Sequence, residues 1–270
     1  MIWVPVAGAL ASPILKAPLL VAATRVMTWA QRPPTPPATQ EESAKYGPKR
    51  DAMSNVSIIR VAAFTNNVSI IMWPSGLLSF KPLTIRQTIN WALAFCESAV
   101  VLASQFPSEI SQHILTVLTP SPSALSAVRI TPVWLAGCAL MAGGGLLRLA
   151  CYRTLGRFFT WELAVKKDHV LITHGPYSVV RHPAYTGSLM IGVGVVLAHF
   201  GPGSWYRECV GFGGLSSKLF VGIWTLWALV VPTLLMRRVN AEDAVLRKEF
   251  KGEWDAYAQR TPYRLIPFVY

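Results

Sequence analysis

Long apolar stretches separated by short basic ones constrain this chain more than any other feature. A helix that crosses a bilayer needs about 20 mostly apolar residues. Ile89–Ser104, Ile130–Ala150, Tyr185–Phe200 and Leu219–Met236 read as such helices, and the run from Ile2 to Met27 adds a fifth. That first run competes with a signal-peptide reading. It lacks a basic start, its Lys16 and Arg25 fall late, and Thr24 to Ala30 makes a poor cleavage site. A retained helix is the reading adopted. Only 14% of the 270 residues are charged and 52% are hydrophobic. Soluble domains carry about 25% charged residues. The predicted class is therefore all-α: a multi-pass membrane protein of about five transmembrane helices.

The basic residues give a direction across the bilayer. Residues 31–88 carry seven Lys and Arg, 105–129 one, 149–184 five, 201–218 two and 237–270 seven. The positive-inside rule places the rich segments in the cytosol. A net charge of +12 spread in this way reads as topology and affinity for anionic lipid. It does not present the cationic face of a nucleic-acid-binding domain. Cys96, Cys138, Cys151 and Cys209 form no CxxC pair, so no disulfide framework and no metal site is expected.

Two regions interrupt this pattern. Gln31–Gln40 is rich in proline and, with Glu41–Asp51, makes a polar linker. Val56–Phe80 mixes Ile58, Ile59 and Ile70–Trp73 with Arg60, Asn66, Asn67 and Pro74. It fits a membrane-surface segment, a re-entrant piece or a helical pair. The chain divides into an N-terminal membrane region, 1–128, and a C-terminal core, 129–270.

Leu155 to Gly187 carries most of the chemistry. His169–Ile172 reads as a short β-like run, and Gly175-Pro176 as a turn. Arg181-His182-Pro183 then opens a transmembrane helix. Proline suits the first turn, where its missing N–H has no partner to lose. The free N–H groups and the helix dipole make this end attractive to an anion. His182 and Tyr185, three apart, share a helix face.

After the last apolar run comes Arg237-Arg238-Val239-Asn240-Ala241-Glu242-Asp243. Arg238 and Glu242 are four apart, hence on one face. Val239, Leu246, Phe250, Trp254 and Tyr257 recur at near-helical spacing, which predicts an amphipathic surface helix. Gly143–Gly145 and Gly192–Gly194 lie in apolar runs and read as close helix packing, not phosphate loops. His113 and His199 read as interfacial.

These segments together resemble the isoprenylcysteine carboxyl methyltransferases. The resemblance rests on His169, Leu171 to Thr173, Gly175-Pro176-Tyr177, Arg181-His182-Pro183, Tyr185 and Gly187. It continues through Arg238 and Glu242 to Phe250, Gly252, Trp254, Tyr257 and Arg260-Thr261-Pro262. It covers about Ala150 to Tyr270, and the Pro-rich stretch is similar to fungal members. It implies S-adenosylmethionine bound between cytosolic loops and helix ends. The implied cofactor residues are Glu162, His169, Val170, Leu171, Ile172, Tyr177, His182, Pro183, Ala184, Tyr185 and Glu242. Arg238 is the implied catalytic residue and the holder of the substrate carboxylate. The implied reaction is methyl esterification of a prenylcysteine carboxylate on CaaX-processed proteins. Small GTPases and fungal pheromone precursors are the expected partners, at the endoplasmic reticulum membrane with the active site facing the cytosol. Two other readings remain. Sterol reductases share Arg-His-Pro-x-Tyr and an ending like Arg260–Phe268, with NADPH in the related pocket. A phospholipid N-methyltransferase would use the same cofactor on an amine.

Overall fold

Every regular element among the described residues is helical in the computed structural model, which describes residues 12–32, 85–159 and 168–269. The elements are α1 (Lys16–Ala30), α2 (Ile85–Gln105), α3 (Glu109–Leu118), α4 (Pro122–Ala127) and α5 (Pro132–Leu155). They continue with α6 (Pro183–Phe200), α7 (Leu215–Phe250) and α8 (Gly252–Arg260). Glu162, Val56–Phe80, the linker after Arg32 and the start of the first apolar run lie outside the described residues.

Local chemistry explains where several helices begin. The Ser108 and Ser121 hydroxyls accept from the backbone N–H of Ser111 and Ala124, which caps α3 and α4. Thr131 does the same for Trp134 at the start of α5. Pro122, Pro132 and Pro183 occupy first positions, as their fixed φ favours.

Two helical segments are long and apolar enough to cross a membrane by themselves, Pro132–Phe158 and Pro183–Phe200. The apolar part of α7, Leu215–Val230, is shorter. The expected span at Ile89–Ser104 does form a helix, but its sequence includes Gln87, Asn90 and Glu97, all buried. Its buried face mixes these polar groups with Leu93, Ala94, Val100, Val101 and Ala103.

The described residues fall into two compact units. One contains residues 12–26, 85–142 and 191–228. Its centre is a buried ion pair, Lys16 Nζ to Glu97 Oε1 at 2.5 Å. Trp134 Nε1 donates to the same oxygen at 2.7 Å, and the Trp205 backbone N–H donates to Oε2 at 2.9 Å. Lys16 also donates to the Gly203 carbonyl at 2.7 Å. A cation in an apolar interior is tolerated only when it is paired and hydrogen-bonded in this way. Around it pack Leu20, Val100, Val101, Trp134, Met141 and Val195. A Cβ built on Gly194 would lie 2.7 Å from the Gly137 carbonyl and the Met141 nitrogen, so α5 and α6 touch backbone to backbone here. His199 is 1% exposed, which corrects its interfacial reading. It lies on the face of α6 that packs inward beside Ala198 and Val195.

The other unit contains residues 27–32, 143–159, 168–190 and 229–269. Arg148 is its buried anchor. Its guanidinium donates to the Ala30 carbonyl at the end of α1, to the Ala184 carbonyl at 3.0 Å, and to the hydroxyls of Ser188 and Tyr152. A cation there complements the negative end of α1. The expected close packing recurs, since a Cβ on Gly187 would meet the Gly144 carbonyl at 2.7 Å and Arg148 Cγ at 2.8 Å.

Two expectations are corrected here. His169–Ile172 is neither strand nor helix, because no strand exists among the described residues to pair with it. The final span and the surface helix are not separate. α7 runs for 36 residues without a break, about 54 Å at about 1.5 Å per residue. The change from apolar to polar sequence near Arg237 alters what surrounds the helix and leaves its backbone hydrogen bonding intact. The break comes at Lys251, whose φ of 47° ends the helix before α8.

Candidate functional site

The N-terminus of α6 gathers side chains from four parts of the second unit. Pro183 starts the helix, so His182 precedes its first turn. The His182 ring lies parallel to that of Tyr185, 6° apart in plane with centroids 5.7 Å apart. Tyr185 in turn donates its hydroxyl to Glu242 Oε2 at 2.6 Å. Glu242 Oε2 lies 3.7 Å from His182 Nδ1, too long for a hydrogen bond. Asp243, the next residue, takes the other imidazole nitrogen: its Oδ1 is 2.7 Å from Nε2. Its Oδ2 accepts from Arg181 at 3.2 Å and faces Arg264 Nε at 3.5 Å. The segments before α6 and along α7 thus meet side chain to side chain, with His182 only 5% exposed and Glu242 still 28% exposed.

The C-terminal segment after α8 completes the wall. The Arg181 and His182 backbone N–H groups donate to the Tyr263 and Arg264 carbonyls, at 3.0 and 2.8 Å. Thr186 donates its hydroxyl to the Leu265 carbonyl at 2.6 Å. Arg264 also donates to Asn240 Oδ1 at 2.9 Å. On α8, Trp254 and Tyr257 are buried as their spacing predicts. The Tyr257 hydroxyl donates to the Tyr177 carbonyl at 2.7 Å, and Arg181 lies over the Trp254 ring at 5.9 Å.

Tyr177 sits in the short 3₁₀ turn Gly175–Ser178. Gly175 has a φ of +62°, which suits glycine, and supplies the turn expected of Gly-Pro. Burial, then the neighbouring Cys151 thiol and the Glu242 carboxylate, push the Tyr177 hydroxyl well above its usual range. It stays protonated beside the Cys151 thiol. Burial likewise raises Tyr257.

The structure therefore brings Tyr177, His182, Pro183, Ala184, Tyr185 and Glu242 into one neighbourhood. His169 stands against Phe158 and Phe250, with ring centroids 4.9 and 5.6 Å away, on the side of the C-terminal end of α7. Val170 is exposed, whereas Leu171 and Ile172 are half-buried. Arg238 is half-buried one helical turn before Glu242. Asp243, Arg264 and Arg148 were missed by the sequence reading. An acidic pair on α7 opposite an Arg-His pair was the available signal for Asp243. Nothing local marks where Arg264 returns.

Chemically, the neighbourhood leaves the Glu242 carboxylate partly exposed beside the parallel His182 and Tyr185 rings, with Arg238 one turn earlier on the same helix. Such a set suits a ligand carrying both a cationic and an anionic group.

Comparison with known proteins bears on part of the chain. Residues 136–220 match the model of the isoprenylcysteine carboxyl methyltransferase (ICMT) family, a stretch that includes the whole of α6. A probable protein-S-isoprenylcysteine O-methyltransferase of Oryza sativa subsp. indica is 27% identical over 177 residues, 64% of this chain and 81% of that protein. Protein-S-isoprenylcysteine O-methyltransferase B of Arabidopsis thaliana is 30% identical over 135 residues, 49% of this chain and 58% of the relative. A Delta(14)-sterol reductase of Methylotuvimicrobium alcaliphilum is 26% identical over 152 residues, but these cover only 31% of that protein. The family and the apolar helices are those of an integral membrane protein. Through this segment, the chain is similar to the isoprenylcysteine carboxyl methyltransferase family.

Proposed function

We propose that this protein methylates the C-terminal carboxylate of prenylated, CaaX-processed proteins, using S-adenosylmethionine. The observation that carries the reading is the junction of Tyr185 with Glu242 and of His182 with Asp243, with Arg238 one turn away on the same helix. S-adenosylmethionine, when bound, supplies a methyl group activated by a sulfonium. The residues present fit it. Glu242, held on one oxygen by Tyr185 and partly exposed, keeps acceptor capacity for a cationic group. His169–Ile172, Tyr177, Pro183 and Ala184 offer backbone groups and apolar surface around it, and Glu162 belongs to the same proposed set.

Arg238 takes the other reactant. Its guanidinium can hold a carboxylate through two parallel hydrogen bonds. That carboxylate is already ionised near neutral pH, so the chain need supply no general base. The carboxylate oxygen forms a bond to the methyl carbon as the carbon–sulfur bond breaks, leaving a neutral ester and a thioether. The protein's task is alignment and exclusion of water. A prenyl chain adds about 0.8 kcal/mol for each CH₂ it buries, which suits entry from the bilayer.

We place the catalytic core at 129–270, five spans in all, and the site on the cytosolic side of the endoplasmic reticulum membrane. The alternation of basic segments supports that orientation. Small GTPases and fungal pheromone precursors are the substrates this reading names. The test is transfer of labelled methyl from S-adenosylmethionine to N-acetyl-S-farnesylcysteine by purified protein in detergent. Transfer above a no-enzyme control is expected. NADPH-dependent sterol reduction without methyl transfer would overturn the reading in favour of the reductase relatives. Methylation of a phospholipid amine alone would overturn the choice of acceptor, which Arg238 disfavours by repelling a protonated amine.

A further inference from the structure

Asp243 is the acid next to Glu242 on α7, and it organises the residues before α6 and after α8. Its carboxylate is 14% exposed and reaches three segments: His182 at 2.7 Å, Arg181 at 3.2 Å and Arg264 at 3.5 Å. An ionised carboxylate only accepts hydrogen bonds. The proton it meets on His182 therefore sits on Nε2. The ring is held by that bond and by the parallel Tyr185 ring, while the backbone bond from His182 to Arg264 holds the chain that carries it. In this orientation Nδ1 faces Glu242 Oε2 at 3.7 Å, and no hydrogen bond joins them.

We infer that Asp243 is a positioning residue that holds His182 with its proton on Nε2 and presents Nδ1 to the cofactor end of the site. The inference rests on the methyl-transfer reading for the name of the cofactor, while the geometry stands without it. The nitrogen that a ligand meets determines whether that ligand must donate or accept. Without Asp243 the ring can exchange tautomers and rotate about its last torsion, so part of the population presents the wrong group. An ion pair that merely ties down the C-terminal segment would behave differently. It needs the charge on Asp243, whereas positioning needs only an acceptor at Oδ1.

The two variants Asp243→Ala and Asp243→Asn separate these roles. Asp243→Ala is expected to weaken S-adenosylmethionine binding by about tenfold or more, the scale of one lost charge-assisted hydrogen bond. The KM for N-acetyl-S-farnesylcysteine should stay within about twofold, below the scale of one such bond. Asp243→Asn keeps an acceptor oxygen and should recover most of the cofactor affinity. If Asn fails as badly as Ala, the charge is what matters and the inference falls. Nitrogen NMR of the wild-type protein labelled at histidine, assigned by loss of the signal in His182→Gln, gives a readout free of folding effects. The Nε2-protonated form is expected, and an Nδ1-protonated neutral ring would overturn the inference. This readout needs no acceptor substrate. Absence of methyl transfer with the expected tautomer present would sink the proposed reaction and leave the role of Asp243 standing.

Discussion

Glu97 and Asp243 are both acids with short contacts to cations, but they are built for opposite ends. Glu97 is 2% exposed and both of its oxygens are occupied, by Lys16, Trp134 and the Trp205 backbone. Lys16 also donates to the Gly203 carbonyl. The pair is buried on both sides. Asp243 is also well supplied with partners, but beside it Glu242 remains partly open and His182 keeps one nitrogen without a short bond to it. The first centre is closed and ties distant chain segments together. The second is closed on one side only, and the open side is where a ligand can enter. Buried charge serves the fold when all its valences are filled, and serves binding when some are left to a visitor.

The comparison breaks most readily at Glu97. Replacing it by alanine strands Lys16 in an apolar interior, a loss expected to cost about 3–5 kcal/mol of stability. Unfolding of the purified protein in detergent measures it. Replacing the pair together by Met and Leu should restore most of the loss, since matched apolar side chains substitute well for a buried ion pair. A loss under about 1 kcal/mol for Glu97→Ala would put this pair with ordinary surface contacts.

The second centre should respond in kinetics more than in stability. Arg238→Ala is expected to lower kcat/KM for the prenylcysteine by about tenfold to a hundredfold, as loss of a charged hydrogen-bond donor does. His182→Ala should instead raise the KM for S-adenosylmethionine. Steady-state assays that vary each substrate in turn separate the two. Identical behaviour of both variants would dissolve the division of labour proposed for the site.

The smallest effect sharpens the scale. Arg247 and Asp255 form a 2.9 Å pair with side chains 68% and 46% exposed. Asp255→Ala should change stability by about 0.5 kcal/mol or less, because solvent screens the attraction. The same unfolding measurement supplies the reference against which Glu97 is judged.

The legible part of the molecule is the part set by short-range rules. Proline at the start of α6, the Gly-Pro turn at Gly175, and the burial of Trp254 and Tyr257 all follow from spacing within a few residues. The glycine contacts between α5 and α6 follow from small residues in apolar runs. Partners far apart in sequence were not legible. Lys16 and Glu97 are 81 residues apart, and a lysine within an apolar run does not name its acid. Arg148 carries no local signal for its role, which is to close the end of α1 118 residues earlier in the chain. Asp243 was overshadowed by Glu242, since four-residue spacing from Arg238 points to Glu242 alone. The run-on of α7 was missed because hydropathy reports the medium around a helix. Whether the backbone stops is decided by residues such as Lys251.

The uninterrupted course of α7 has a geometric consequence for how this protein tolerates change. Arg238, Glu242 and Asp243 ride on one rod, so altering the number of residues between Leu229 and Arg238 acts as a rotation. One extra residue turns everything downstream by about 100° and advances it by about 1.5 Å. Arg238 and Glu242 would then point away from His182 while the helix itself survived. Length variation is harmless where a loop can absorb it, and in this stretch the helix offers no such slack.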